Sequence, residues 1–215
     1  SAETHPETIG WWFCNVDPRW LTNSPDADLS IPMEYYKSRG AKGLGEFTTN
    51  LPVDNPLMQN LFYHAEKCGL PILFHIGQQG GDYGIVDELG LHKIEATLKK
   101  FPKLKLIGHS QKWWAEISGD CNEQNRNGYP EGPVTPGGRL VELLRNYPNM
   151  YGDLSAGSGG NAVMRDPAFG YRFLEEFQDK LFFGVDYCEP GNFMPLSQYL
   201  DDAVENGHIS QKAYN

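Results

Sequence analysis

Six short apolar runs are spaced along the chain, and each has the length of a β-strand. They cover residues 8–16, 41–47, 70–77, 103–110, 149–156 and 180–187. Each run is bounded by Gly, Pro, Asn or Lys, and its apolar residues are continuous rather than alternating with polar ones. This pattern is typical of strands that are covered on both faces. We therefore predict six buried strands.

Helical patterns fill the intervals between these runs. One helix is predicted to begin after Asn55, a good N-cap, with Pro56 at its first position, and to end at Gly69. Three further apolar stripes have helical spacing: Ile94, Leu98 and Phe101; Leu140, Leu143 and Leu144; Phe169, Phe173 and Phe177. Strand and helix that alternate about every 30 residues predict a parallel α/β fold.

One interval is longer than the others. Residues 110–138 are polar and rich in Pro and Gly, which predicts an extended loop that leaves the fourth run. Within it, residues 112–117 are expected to form a short helix.

Composition and charge exclude several classes of protein. The 215 residues include 18 Lys and Arg against 28 Asp and Glu, a net charge of −10, which argues against a nucleic-acid or anionic-membrane partner. No apolar run approaches the roughly 18 residues of a membrane span. Four widely separated cysteines (Cys14, Cys68, Cys121 and Cys188) fit neither a disulfide framework nor a zinc ribbon. With no signal-peptide pattern at residues 1–10, we expect a cytoplasmic protein.

Polar side chains with catalytic chemistry follow five of the six runs. Glu46, His75, His109, Asp153 and Asp186 each lie at or next to the C-terminal end of a separate run. A single His or Asp at such a position is more often a cap or a core residue. Five on one sheet indicate an active site, because the C-terminal edge of a parallel sheet or barrel is where such sites are built.

Imidazole and carboxylate groups together suit a divalent transition metal, with zinc first and manganese or iron as alternatives. His75 and Asp186 are the best candidate ligands, and Glu46 is a weaker third. His109 is either a further ligand or a general base and electrophile beside the metal. Without additional partners this set is under-ligated.

The motifs KGLGEF, LPILFHIG, LKLIGHS, MYGDLSA and LFFGVDY occur in this order. As an ordered set they resemble the amidohydrolase-related branch of the amidohydrolase superfamily, over about residues 8–190. This branch includes metal-dependent hydrolases and the aminocarboxymuconate-semialdehyde and resorcylate-type decarboxylases. The resemblance implies a distorted (β/α)8 barrel of the TIM type, with residues 1–215 as a single domain that is an incomplete barrel.

The resemblance also implies roles for matching residues. His75 would be a metal ligand and His109 the catalytic histidine. Asp186 would bind the metal and orient or deprotonate its water, and Glu46 matches a glutamate that is a ligand only in some relatives. The implied activity is a metal-dependent hydrolase acting on a C–N, C–O or lactone bond of a small molecule. Alternatives are a non-oxidative decarboxylase of the same family and an inactive barrel that only binds ligand.

Two departures from the family pattern concern the ends of the chain. The H-x-H pair of the family's first strand has no match, because His5 stands alone. Two βα units, about 60 residues, would then precede residue 1, and the helix after the last strand is also incomplete. Since folded proteins rarely leave the edge strands of a sheet unpaired, we expect either a longer chain or edge strands that pair with a neighbouring molecule, as in a homodimer.

Two further residues are predicted to bind the substrate. Arg165 could hold a substrate carboxylate with two hydrogen bonds, as could Arg139. Trp113, together with Trp114, follows His109 closely enough to line a pocket for a planar substrate. Structural roles for these side chains remain open.

Two other enzyme classes match parts of the sequence pattern. Ser158, Asp186 and His208 follow the chain order of an α/β-hydrolase triad, but Pro167 interrupts the segment after the serine. A sugar-phosphate barrel enzyme would need a phosphate-binding loop after each of the last two strands; SAGSGG fits this requirement and DYCEPGN does not.

Overall fold

The computed structural model describes residues 4, 5, 7–77, 80 and 83–215. They form two compact units that divide after Ile107. In both units parallel strands alternate with helices, which confirms the predicted α/β fold. No helix in the described part of the chain is long and apolar enough to cross a bilayer.

The first unit contains the elements up to the start of the sixth strand. They are β1 (Phe13–Cys14), α1 (Ser30–Ser38), β2 (Gly43–Phe47), β3 (Thr49–Pro52), α2 (Pro56–Cys68), β4 (Ile72–Gly77), β5 (Gly84–Val86) and α3 (His92–Lys100). Strand β6 (Leu106–His109) begins in this unit and ends in the second. β1 pairs with β2 and β2 with β4, both in parallel, with Leu44 opposite Ile72. The side chains of Leu44, Ile72 and Phe74 are fully buried.

Helix α2 begins and ends where the sequence predicted. Asn55 accepts a hydrogen bond from the main-chain N–H of Leu57 at 2.9 Å, and Pro56 opens the helix. Gly69 ends it in the left-handed conformation with φ 68°. All these signals are local in sequence, because a cap, a first-turn proline and a left-handed glycine act on neighbouring main-chain groups.

A small second sheet in the first unit was not predicted. β3 pairs with β5 and β5 pairs with β4. Gly84 permits this arrangement, since it has φ +120° and a Cβ there would lie 2.5 Å from the main-chain nitrogen of Gly77. Strands of four and three residues are too short for a clear two-residue period.

The second unit follows the same alternation after the end of β6. It contains α4 (Gln111–Ala115), α5 (Arg139–Asn146), β7 (Met150–Asp153), α6 (Ala156–Met164), α7 (Pro167–Phe177), β8 (Leu181–Phe182), α8 (Leu196–Glu205) and α9 (Gln211–Tyr214). β7 and β8 are parallel, with Asp153 opposite Phe182. Helices α5 and α7 confirm the Leu and Phe stripes, and α4 confirms a short helix in the long loop.

Two predicted strands are much shorter than their apolar runs. Of residues 8–16 only Phe13–Cys14 form a strand, and Trp11 is 78% exposed. Of residues 180–187 only Leu181–Phe182 do so; Phe183 is exposed, and Asp186 has a φ of 55°, outside the extended conformation. An apolar run measures hydrophobicity, whereas a strand also needs a partner for its main-chain groups.

Two cations, the buried Arg126 and the half-buried Lys180, make polar contacts within the second unit. The Nη2 atom of Arg126 lies 2.7 Å from Oε1 of Glu116, and the two side chains are 4% and 2% exposed, so this pair anchors the long loop. Nζ of Lys180 donates to the main-chain oxygens of Leu144 and Tyr147, at the C-terminal end of α5. Burial lowers the pKa of Lys180.

Candidate active site

The first unit brings together Glu46 and His75, two residues that the sequence predicted as metal ligands. Nδ1 of His75 lies 2.8 Å from Oε1 of Glu46. The hydroxyl of Tyr83 donates to Oε2 of the same carboxylate at 2.8 Å, and its ring meets the His75 ring edge-on, with centroids 4.8 Å apart. Both carboxylate oxygens of Glu46 are therefore hydrogen-bonded. The main-chain oxygen of Glu46 also accepts a hydrogen bond, from the side-chain amide of Asn15 at 3.0 Å.

Gly45 explains how the main chain places Glu46 beside His75. It has φ +131°, and a Cβ at this position would lie 2.4 Å from the main-chain oxygen of Leu73. Only glycine allows β2 to approach β4 this closely in this conformation. The residue that follows it thus lies beside the histidine of the neighbouring strand.

The donor types of this pair fit a divalent transition metal. Because Nδ1 of His75 faces a carboxylate, Nε2 is the ring nitrogen able to bind a metal, and a carboxylate behind a ligating histidine is a common orienting arrangement. Glu46 therefore fits an orienting role at least as well as a ligand role. A catalytic zinc site usually has three protein ligands, so this pair requires at least one ligand from outside it.

The second unit contains a polar cluster around His109, at the end of β6. Nδ1 of His109 lies 3.1 Å from Oδ2 of Asp153 and 3.2 Å from Oγ of Ser155. The Ser155 hydroxyl donates to Oδ2 of Asp153 at 2.5 Å, and the Ser155 N–H donates to Oδ1 at 3.1 Å. His109 and Asp153 are only 7% and 13% exposed.

This network assigns the ring proton of His109. The hydroxyl proton of Ser155 is committed to Asp153, so its oxygen, like the carboxylate, can only accept from the imidazole. Nδ1 therefore carries the proton, and Nε2 is the nitrogen that accepts or delivers a proton elsewhere. The cluster can thus act as an oriented acid or base.

Ser155 was missed by the sequence reasoning. It lies two residues after Asp153 on extended main chain, and side chains two apart on such a segment point to the same side. The D-x-S spacing after a strand was therefore a usable signal.

The two tryptophans after His109 support the cluster from within the core. Nε1 of Trp114 donates to the main-chain oxygen of Asp153 at 2.9 Å. Trp113 is fully buried, and a Cβ on Gly108 would lie 2.3 Å from its indole ring. Substrate contact by Trp113 stays a prediction, since in this structure its ring is packed against the main chain of β6.

Asp186 lies on the exposed segment that follows β8. This segment contacts the His109 cluster through Gly184, where a Cβ would lie 2.9 Å from Cβ of Ser155 and 3.2 Å from Oδ1 of Asp153. The main chain two residues before Asp186 thus touches the cluster. The metal and catalytic roles of Asp186 stay predictions.

The remaining candidate residues lie elsewhere in the second unit. Arg165, at the C-terminal end of α6, lines a cavity with Asp120, and its role with substrate stays a prediction. Ser158 is buried within α6, and His208 stacks on Tyr171 with ring centroids 4.6 Å apart. Among the described residues no hydrogen bond joins Ser158 to His208 or Asp186, so the rival hydrolase triad is not formed.

Comparisons with known protein families and with curated proteins find no match for this sequence. Solved structures do match. An uncharacterized TIM-barrel protein from Bordetella bronchiseptica superposes with a TM-score of 0.60 and 17% identity, over 99% of this chain and 64% of that protein. The fold is of the TIM-barrel type. This chain thus spans slightly less than two thirds of that neighbour's length.

Two further neighbours are enzymes by name. A 2,6-dihydroxybenzoate decarboxylase in complex with 2,6-dihydroxybenzoate gives a TM-score of 0.52 at 12% identity, over 99% of this chain and 69% of that enzyme. A 2,6-dihydroxybenzoate decarboxylase from Rhizobium gives 0.50 at 14% identity, over 99% and 70%. At such identities the likeness shows the fold alone.

Proposed function

We propose that this protein is a metal-dependent enzyme that decarboxylates a small aromatic carboxylate without oxidation. The observation that carries the proposal is the buried His109–Asp153 pair, because decarboxylation needs a positioned proton donor at the carbon that loses CO2. The sequence resemblance to a family with resorcylate-type decarboxylases and the names of two structural neighbours support the same reaction.

The proposed metal is zinc, with manganese or iron as alternatives. His75 would be a ligand through Nε2, with Glu46 and Tyr83 holding its ring, and the sequence resemblance adds Asp186 to the set. When bound, the metal would bind the substrate carboxylate and a neighbouring oxygen and withdraw electron density from the ring.

In this reaction His109 supplies the proton. The bond between the ring carbon and the carboxylate breaks, CO2 leaves, and the electron pair on the carbon takes the proton from Nε2 of protonated His109. Asp153, which faces Nδ1 at 3.1 Å, stabilises the imidazolium before transfer and keeps the remaining proton on Nδ1 afterwards. Ser155 positions the carboxylate of Asp153.

The test begins with metal content per chain, measured by plasma mass spectrometry after loading with zinc or manganese. CO2 release from 2,6-dihydroxybenzoate and related hydroxybenzoates is then followed, with esters, amides and lactones tested in parallel. We expect CO2 release that His109→Ala abolishes while metal is retained, and that Asp186→Ala removes together with the metal. His208→Ala, a histidine of the same unit stacked on Tyr171, is the matched control and should remain active.

Other outcomes correspond to the alternatives. Turnover of an ester, amide or lactone without CO2 release would replace the decarboxylase with a metal-dependent hydrolase. A folded protein that takes up no metal and turns over nothing would indicate a barrel that only binds ligand. We also propose a cytoplasmic location, which the four free thiols support.

A further inference from the structure

A cavity in the second unit has no part in the proposed reaction. It has a volume of about 220 Å³ and is lined by Ser118, Asp120, Asn125, Glu131 and Arg165, among others. Sites for drug-sized ligands usually measure about 300–1,000 Å³. The cavity is therefore suited to a small molecule of roughly amino-acid size.

Arg165, one of the residues that line this cavity, has two hydrogen-bond donors without a partner. Its Nε and Nη2 atoms are buried and have no hydrogen-bond partner among the described residues. These two N–H groups form one edge of the guanidinium and point the same way, which is the geometry that binds both oxygens of a carboxylate. Two buried donors without partners are costly, so a ligand that supplies both acceptors would be stabilised there.

The carboxylates nearest to Arg165 are engaged elsewhere. Oδ1 of Asp166 accepts from the N–H of Phe169 at 3.2 Å, and Oδ2 accepts from the N–H of Val134 at 3.0 Å. Oδ1 of Asp120 accepts from the hydroxyl of Ser118 at 2.5 Å. Asp120 and Asp166 attract Arg165 electrostatically, but neither accepts a hydrogen bond from its Nε or Nη2 atom.

The cavity also carries negative charge, which disfavours the binding of a simple anion. Asp120 and Glu131 both line it, and the hydrogen bond from Ser118 lowers the pKa of Asp120, which keeps that side chain ionised. We propose that this cavity binds a small zwitterion, with its carboxylate on the Nε and Nη2 edge of Arg165 and its ammonium group facing Asp120 and Glu131. An α-amino acid is the simplest molecule with this chemistry.

The test uses alanine and leucine as probes, each compared with counterparts that lack one charge. These are propionate and ethylamine for alanine, and 4-methylpentanoate and 3-methylbutylamine for leucine. Binding is measured by saturation-transfer NMR on the full chain. We expect at least one amino acid to bind at least about tenfold more tightly than both of its counterparts, since each loses a charged hydrogen-bonding group.

Two variants test the residues. Arg165→Lys keeps the charge but removes the paired donors and should weaken binding at least about tenfold, whereas Arg172→Lys, on the exposed face of α7, should not. Should Arg165→Lys fail to fold, Glu131→Gln is the decisive variant. Glu131 is exposed, and its substitution should weaken binding of the amino acids but leave binding of propionate and 4-methylpentanoate unchanged or stronger. Glu123→Gln in the same loop is its control.

Three results would overturn the proposal. The first is that neither amino acid binds the folded protein. The second is that the acid counterparts bind as tightly as the amino acids, which would indicate an anion site. The third is that Arg165→Lys, or in its absence Glu131→Gln, binds the amino acids as the unmodified protein does.

Discussion

Replacing Asp153 by Asn should move the ring proton of His109 from one nitrogen to the other. Oδ1 of Asp153 accepts from the N–H of Ser155, whereas Oδ2 faces Nδ1 of His109. In Asp153→Asn the amide oxygen must keep the Oδ1 position to accept from that N–H, so the NH2 group takes the Oδ2 position. This NH2 group can only donate to Nδ1, which forces the imidazole proton to Nε2.

The size of the effect follows from the hydrogen bond that is lost. A hydrogen bond to a charged group is worth about 1.5–3 kcal/mol, which corresponds to a preference of about ten- to a hundredfold for the Nδ1–H form. In the variant the preference should reverse. The low exposure of His109 and Asp153, 7% and 13%, limits the competition from water.

The assay is NMR with histidine labelled by 15N in the ring, at a pH where imidazoles are neutral. Six ring systems are present, and the spectrum of His109→Gln identifies the one of interest. Asp179→Asn, an exposed carboxylate of the same unit, controls for the change of residue type. The reasoning is refuted if His109 carries its proton on Nδ1 in Asp153→Asn, or on Nε2 in the unmodified protein.

Two further predictions concern stability and reactivity. Glu116→Gln should lower the free energy of unfolding by about 3–5 kcal/mol, since it leaves Arg126 as an uncompensated buried charge. Glu176→Gln, which breaks an exposed ion pair, should lower it by less than about 1 kcal/mol. Equal losses in urea titrations of the two variants would contradict this prediction. Iodoacetamide at pH 8 should modify the exposed Cys188 well before Cys68, whose pKa burial raises to about 11. Peptide mass spectrometry measures the order, and earlier modification of Cys68 would be the contrary result.

The sequence predicted best where a signal and its effect are close together along the chain. Asn55 and Gly69 bound α2 by acting on adjacent main-chain groups, and they were read correctly. Helix α6 was missed because its sequence AGSGGNAVM contains three glycines, which disfavour helix by intrinsic propensity. In the structure its buried side, with Ala162 and Val163, is held by packing rather than by propensity.

The candidate site likewise contains residues that local sequence features pointed to and partners that only the folded structure shows. Their positions at the ends of apolar runs made Glu46, His75 and His109 candidates, but their partners come from contacts that no local pattern encodes. Tyr83 reaches Glu46 from a position 37 residues later, and Ser155 reaches His109 from 46 residues later. Arg165 became a candidate through its residue type alone, and the other residues of its cavity could only be seen in three dimensions.

Lys180 bears on how the chain selects one alignment of its last strand. β8 has only two residues, and so short a strand could slide by one position along β7 at little cost in main-chain hydrogen bonds. A slip of one residue would exchange its inward and outward side chains. It would also withdraw Nζ of the half-buried Lys180 from the oxygens of Leu144 and Tyr147, and this charge would lose both main-chain acceptors. The contacts of the Lys180 side chain therefore favour one register of β8 on β7.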